Sequence, residues 1–123
     1  MDRNVTLLRI AEILEQTPLP VDSEKRLHAG IKQALTEASI EYCHEVQLSK
    51  IDRIDFLCGD IGIEAKIAGS YTALASQVLR YLESDRVSGL IIVTNRWSHS
   101  QLHQMANERN KPVHCCFVGF YGI

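Results

Sequence analysis

The sequence predicts one α/β domain with a mixed central sheet flanked by helices, and three observations lead to this prediction. Two amphipathic helical patterns precede any strand-like segment. Three strand-like segments then follow one another with short connections, which predicts an antiparallel meander. Each of the last two strand-like segments follows a helical pattern, which predicts crossover connections to further strands of the same sheet. At 123 residues, the chain is long enough to enclose a substantial core.

The first helical pattern covers residues 5–16 and presents one apolar stripe. Two prolines within residues 17–20 end it, because proline cannot continue a helix. We predict that residues 1–20 form an N-terminal helical arm, which packs either on the domain of residues 21–123 or on a partner copy. The stripe is formed by Leu7, Ile10, Ala11 and Leu14.

The next segments predict a second helix and the meander. Asp22 and Ser23 offer a cap for a helix that runs to about residue 39. Strands are predicted over residues 42–48, 53–58 and 61–67, and Gly59-Asp60 is a hairpin-turn signal between the last two. The apolar stripe of the second helix is formed by Leu27, Ile31, Ala34, Leu35 and Ala38.

The remaining segments alternate between helix and strand. Gly69-Ser70 precedes a third helix over residues 72–84, and a last helix begins at Ser98 or Ser100 and ends near residue 110. Residues 89–94 form a continuous apolar run, which is typical of a strand buried on both faces, and residues 113–118 form a final strand. The residues of the third helix predicted to face inward are Ala75, Val78, Leu79 and Leu82.

Composition narrows the class of partner and the compartment. With 46% apolar and 23% charged residues, the chain has the composition of an ordinary globular protein. Its net charge of −2 differs from the positive charge of many nucleic-acid-binding proteins. A nucleic-acid partner would have to be held by a local basic patch and by metal ions. Four cysteines without a C-x-x-C pair predict reduced, buried thiols in a cytoplasmic protein. No signal peptide or membrane span is visible, so we predict no membrane partner.

The two central strands carry the most informative residues. A hairpin that closes at Gly59-Asp60 brings Asp55 beside Glu64. Glu64 and Lys66 are two positions apart, so they share one strand face. Carboxylates are ligands for Mg²⁺, and a lysine beside a bound cation can orient or deprotonate a water. Taken alone, this pattern is also typical of a solvated strand face with a cross-strand ion pair.

Two helices carry further candidate site residues. Glu24 is nearly in register with the apolar stripe of the second helix, so we predict that it faces the sheet and contributes to the site; the alternative is a favourable helix-dipole contact. On the third helix, Gln77 and Tyr81 are four residues apart and share a face, beside Arg80. These three residues either contact substrate phosphates or form an ordinary polar helix flank.

Other chemically suggestive residues receive structural interpretations. Glu45 is an additional acidic candidate, but an exposed strand glutamate is the favoured interpretation. His99 and His103 have a metal-compatible spacing without a third ligand, so we interpret them as solvated histidines. Cys115 and Cys116 are interpreted as core residues.

The joint order of these motifs is similar to that of the PD-(D/E)XK nuclease superfamily. The resemblance covers about residues 22–118 and depends on Glu24, Asp55, the run Ile63-Glu64-Ala65-Lys66, and the helix with Gln77-x-x-x-Tyr81, which resembles an element of the RecB-like branch. The family proline before the aspartate is replaced here by Ile54.

This resemblance implies a restriction-endonuclease-like core and a set of residue roles. Asp55, Glu64 and the Ala65 carbonyl would bind Mg²⁺ or Mn²⁺, and Glu24 would bind the metal directly or through water. Lys66 would activate the attacking water, while Gln77 and Tyr81 would steady the scissile strand.

Three functions follow as expectations. The first is a metal-dependent nuclease, with DNA favoured over RNA, of a restriction-like, junction-resolving or repair type. Duplex or junction cleavage needs two active sites, so a homodimer or higher homo-oligomer is expected. The second is a non-catalytic nucleic-acid-binding or assembly subunit with the same fold. The third is an unrelated α/β domain whose acidic hairpin is surface decoration.

Overall fold

A computed structural model describes residues 3–96, 99, 101–102 and 110–119, and most of the predicted last helix lies outside these residues. None of the described helices is long and apolar enough to cross a membrane. The helices are α1 (Arg3–Gln16), α2 (Glu24–Glu37) and α3 (Tyr71–Glu83), and the strands are β1 (Cys43–Gln47), β2 (Arg53–Cys58), β3 (Ile61–Lys66), β4 (Gly89–Thr94) and β5 (Val113–Phe117).

The five strands form one mixed sheet in the order β1-β2-β3-β4-β5. β1, β2 and β3 are antiparallel neighbours, whereas β3, β4 and β5 are parallel. Gly59 begins the β2–β3 turn with φ 61°, a backbone conformation that glycine adopts without a steric penalty. The predicted meander, hairpin turn and crossover through α3 are therefore confirmed.

Helices cover both faces of the sheet and divide the core into two parts. The inner faces of α1 and α2 pack on one face to form what we term the first core, and α3 packs on the other face to form the second core. The predicted orientation of α3 is partly wrong, because Leu74 and Tyr81 are buried while Ala75 and Leu79 are only partly buried. Burial of Tyr81 is possible because its hydroxyl finds hydrogen-bond partners in the sheet.

Helix α1 packs against its own domain. All four residues of its predicted stripe are almost completely buried in the first core. The apolar stripe of the predicted arm is therefore covered by the same chain and is not available as an interface with a partner. The buried residues are Leu7, Ile10, Ala11 and Leu14.

This packing predicts that alanine substitution at two leucines of α1 has very different effects on the free energy of unfolding. Leu14 is fully buried, so Leu14→Ala should lower the free energy of unfolding by about 2–5 kcal/mol. Leu8 is 56% exposed, so Leu8→Ala should change it by no more than about 0.5 kcal/mol. Deletion of residues 1–18 should destabilise the chain further than Leu14→Ala. Urea denaturation of the variants measures these values, and equal midpoints for both alanine variants would contradict the packing.

The regular pleat of the sheet is interrupted beside the β2–β3 hairpin. Phe56 packs in the first core and Ile54, two residues away, packs in the second. Because alternate strand residues normally share a face, β2 changes face at Asp55. Glu45 lies opposite Asp55 in the β1–β2 register and has φ 56°, an uncommon value for a residue other than glycine. This interruption determines the geometry of the candidate site.

Candidate functional site

The two predicted carboxylates meet where β2 and β3 separate. Backbone pairing runs from the Gly59-Asp60 turn as far as Phe56 and Ile63. Asp55 and Glu64 occupy the next opposed positions, where the pairing has ended. Here hydrogen bonds from backbone amides to side-chain carboxylates replace the backbone–backbone hydrogen bonds of the sheet. The Asp55 N–H donates to Oε1 of Glu64 at 3.3 Å, and the Ala65 N–H donates to Oδ2 of Asp55 at 2.9 Å. The predicted proximity of the two carboxylates is confirmed.

Glu64 is buried beneath this gap, with only 3% of its surface exposed. The hydroxyl of Tyr81 donates to Oε1 of Glu64 at 3.0 Å and also lies 3.2 Å from the Arg53 carbonyl oxygen. Burial, together with the nearby charge of Asp55, raises the pKa of Glu64 from 4.5 to about 8. Burial and the adjoining Glu64 raise the pKa of Tyr81 as well. The acidic hairpin is thus not surface decoration.

Each carboxylate has one oxygen fixed by the protein and one oxygen left for another partner. Oδ2 of Asp55 and Oε1 of Glu64 accept the hydrogen bonds described above. Neither Oδ1 of Asp55 nor Oε2 of Glu64 accepts a hydrogen bond from the part of the chain that the structure describes. Two positioned carboxylates with uncommitted oxygens are a donor set suited to Mg²⁺ or Mn²⁺.

The carbonyl of Ala65 is directed toward the same gap. In a strand, the N–H and C=O of one residue point toward the same neighbouring strand. Because the Ala65 N–H reaches Asp55 of β2, the Ala65 carbonyl is also oriented toward β2. This orientation is compatible with the ligand role that the resemblance implies for Ala65.

Lys66 extends the site along β3. Its side chain is half-buried and makes no hydrogen bond or ion pair with the described residues. Its positive charge opposes the effect of burial and Asp55 on the pKa of Glu64, so the ammonium lies near that carboxylate. Alternation places Lys66 on the same face of β3 as Glu64, as predicted. The opposite face carries the residues packed in the first core: Ile63, Ala65 and Ile67.

The prediction that Glu24 faces the sheet is wrong. Glu24 is the first residue of α2, directly after the N-cap Ser23, and its side chain is exposed. It lines a surface pocket with His28 and makes no hydrogen bond to Asp55 or Glu64. The periodicity identifies the correct stripe, but the first turn extends to solvent, where the stripe is no longer covered.

The three predicted substrate contacts on α3 lie in different environments. Gln77 is half-buried. The Nε atom of Arg80 donates to both oxygens of the buried Asp52, at 2.9 and 3.1 Å, which engages the guanidinium away from the carboxylate pair. Tyr81 is fully buried and holds Glu64, so its position is that of a support beneath the site.

Two histidines beside Asp55 were missed by the sequence interpretation. Nε2 of His28 lies 3.3 Å from Oδ2 of Asp55, an ion-pair distance without good hydrogen-bond alignment. Nδ1 of His28 lies 3.0 Å from Nε2 of His44. Contact with Asp55 raises the pKa of His28 against the effect of burial, whereas burial and then Lys32 lower the pKa of His44. The available signal was the position of His28, one helical turn after Glu24.

The residues interpreted as structural differ in how well their burial was predicted. Glu45 is exposed, as predicted, and pairs with Arg53 at 3.5 Å. The prediction that His99 is solvated is wrong: it is fully buried, with Nδ1 3.0 Å from Oγ1 of Thr94, because it packs over the end of β4. His103 lies outside the described residues. The thiols are free, and burial is predicted wrongly for Cys43, which is exposed because β1 is an edge strand. The other three are buried as predicted: Cys58, Cys115 and Cys116.

No protein-family model, no curated protein and no solved structure matches this chain. Function must therefore be inferred from the fold and from the residues around the β2–β3 gap.

Proposed function

We propose that this chain is a metal-dependent nuclease with a restriction-endonuclease-like core, and that it hydrolyses phosphodiester bonds, with DNA favoured over RNA. One observation carries the proposal: Asp55 and Glu64 meet in the β2–β3 gap, each with one carboxylate oxygen that no described residue engages. The antiparallel meander followed by a helix and a parallel strand is consistent with that core.

The cation in this proposal is Mg²⁺ or Mn²⁺. Asp55 and Glu64 would hold it with the carbonyl of Ala65, and Glu24 would act through water, because its exposed side chain does not contact the pair. The bound cation would supply positive charge that polarises the phosphate and offsets the charge of the leaving oxygen. The proton of Glu64 would have to leave before this residue serves as a ligand, because burial and Asp55 raise its pKa to about 8.

The remaining roles are assigned to side chains of β3 and α3. Lys66 would orient the attacking water or accept its proton, since its ammonium has no described partner and lies near Glu64. Tyr81 would act as a positioning residue through its hydrogen bond to Glu64. Gln77 is the residue of α3 that we propose for substrate contact, whereas a phosphate contact by Arg80 would require it to leave Asp52.

A homodimer or higher homo-oligomer is part of the proposal if the substrate is a duplex or a junction. Cleavage of two strands needs two active centres, and the chain supplies one such carboxylate pair in the β2–β3 gap. Because the α1 stripe is buried in its own core, another surface must form the interface.

Metal affinity provides the first test of this function. Asp55→Asn should weaken Mn²⁺ binding by at least about tenfold, because a neutral amide replaces one of two anionic ligands. Asp85→Asn is the matched control, since Asp85 is an exposed aspartate and lines a surface pocket that includes neither Asp55 nor Glu64. Isothermal titration calorimetry measures both affinities. Equal affinity for the wild type and Asp55→Asn would count decisively against the site.

A further inference from the structure

We propose a second metal site, formed by His28, His44 and Glu45, for a divalent first-row transition ion of the Zn²⁺ class. It lies between α2 and β1, beside the carboxylate pair but with its own ligands. The inference does not rest on nuclease activity, and it holds for a binding subunit as well as for an enzyme. Imidazole nitrogens are ligands typical of zinc, cobalt, nickel and copper rather than of Mg²⁺.

The three potential ligand atoms converge on one region. Nδ1 of His28 is 3.0 Å from Nε2 of His44, which is 3.7 Å from Oε1 of Glu45. One ligand atom from each of the three residues lies within 4.8 Å of the others. Tetrahedral coordination with bonds of about 2.0–2.1 Å separates neighbouring ligands by roughly 3.3 Å. The two short separations therefore need shifts of a few tenths of an ångström, and the third, between His28 and Glu45, is at most 4.8 Å and must close to the same value.

The backbone of β1 explains how adjacent residues reach the same region. Consecutive strand residues normally point to opposite faces, so His44 and Glu45 would be separated. Glu45 instead has φ 56°, and its carboxylate lies beside the His44 ring. Such a strained conformation is concentrated at functional sites. Nη1 of Arg53 lies 3.5 Å from Oε2 of Glu45, while Oε1 is the oxygen nearer His44.

Asp55 provides the outer partner that a metal-bound histidine usually has. Metal-ligating histidines commonly direct their second ring nitrogen toward a carboxylate, which fixes the tautomer. Nε2 of His28 is buried, lacks a well-aligned hydrogen bond and lies 3.3 Å from Oδ2 of Asp55. Metal binding at Nδ1 would keep the proton on Nε2, directed at Asp55, and would improve that contact.

The site opens into a surface pocket from which a water or substrate group can reach the ion as a fourth ligand. The pocket has a volume of about 460 Å³ and is lined by all three ligands together with Lys25, Lys32 and Glu24. Three protein ligands with one open position are typical of zinc sites that bind water or a substrate group. Lys25 and Lys32 offset the charges of Glu24 and Glu45, so the bound cation leaves the pocket positive and favours an anionic fourth ligand such as a phosphate oxygen.

Titration with Co²⁺, followed by competition with Zn²⁺, tests this site in the full-length chain. A Cys43→Ser background removes the exposed thiol as a competing ligand. The wild-type cluster should give visible Co²⁺ absorption, and His44→Gln or Glu45→Gln should weaken Co²⁺ and Zn²⁺ binding by at least about tenfold. Mn²⁺ affinity at Asp55 and Glu64 should be unchanged in the Glu45→Gln variant, whose altered residue is exposed.

His114→Gln is the matched histidine control, because His114 pairs with Glu15 outside the proposed site. It should retain wild-type Co²⁺ binding, and circular dichroism with thermal melting should establish that each variant is folded. Absence of Co²⁺ binding, or binding that survives both His44→Gln and Glu45→Gln, would overturn the inference. Loss of Co²⁺ binding in His114→Gln alone would also overturn it, by assigning the metal to the cluster around Glu15. Failure of the proposed nuclease site would instead appear as Mn²⁺ binding insensitive to Asp55→Asn.

Discussion

Lys66→Ala is expected to reduce Mn²⁺-dependent cleavage by about 10²-fold or more, the usual scale for loss of a general base. The fold should be preserved, because the half-buried side chain makes no hydrogen bond or ion pair with the described residues. Metal binding should also be preserved, since Asp55 and Glu64 remain. The loss should therefore appear in the chemical step rather than in stability or affinity.

A substitution that keeps the positive charge makes this prediction sharper. Lys66→Arg should also fail, because guanidinium remains protonated and has a different shape. Lys50→Ala is the matched control, since Lys50 is an exposed lysine in the β1–β2 connection. The assay compares linear duplex, single-stranded and branched DNA, with RNA in parallel, in the presence of Mn²⁺.

Two results of that assay would end the nuclease proposal. One is a Lys66→Ala variant as active as the wild type. The other is a wild-type protein that is inert on every substrate, in which case the non-catalytic nucleic-acid-binding or assembly subunit becomes the better proposal. Binding of the same nucleic acids by the inert protein, measured by fluorescence anisotropy, would then test that alternative directly.

The local part of the site could be predicted from the sequence because a hairpin has few degrees of freedom. Once Gly59-Asp60 forms the turn, strand register places Asp55 opposite Glu64. Alternation then places Lys66 with Glu64 and away from Ile63. Helix caps at Ser23 and Ser70 were predictable for the same reason, since each depends on a hydrogen bond spanning three residues.

The rest depends on contacts between residues distant in sequence. Periodicity predicts the face of α2 but not where its first turn leaves the sheet, so it indicates Glu24 and not His28. The change of face at Asp55 follows from side-chain bonds to backbone amides across the gap, which no local pattern encodes. Burial of Tyr81 likewise depends on acceptors on two different strands.

The same buried carboxylate that would bind metal should make the metal-free protein less stable at high pH. Burial and Asp55 raise the pKa of Glu64 from 4.5 to about 8, so the folded state binds more protons than the unfolded state between these values. The contribution of Glu64 to stability is therefore fully present below about pH 4.5 and is lost as pH rises toward 8. The total change is on the order of a few kcal/mol.

Glu64→Gln should remove this pH dependence and stabilise the metal-free protein near pH 8 by on the order of 1–3 kcal/mol. Glutamine keeps an oxygen that can accept from Tyr81 and from the Asp55 amide, while its NH₂ group can donate to the Asp55 carboxylate. Near pH 4 the two proteins should be about equally stable. Urea denaturation between about pH 4 and 9, in the presence of a chelator, measures the difference.

Added Mn²⁺ should make the wild type more stable than Glu64→Gln at pH 8, the reverse of their order in chelator. A cation in the gap replaces the proton of Glu64 and compensates both carboxylates, so it should stabilise the wild type at pH 8 and leave Glu64→Gln almost unchanged. Glu41→Gln, at an exposed glutamate, should follow the wild type throughout. A Glu64→Gln variant that is less stable than the wild type in chelator at pH 8 would contradict this prediction. The charged form of Glu64 would then stabilise the folded state without a metal, so its role would be structural.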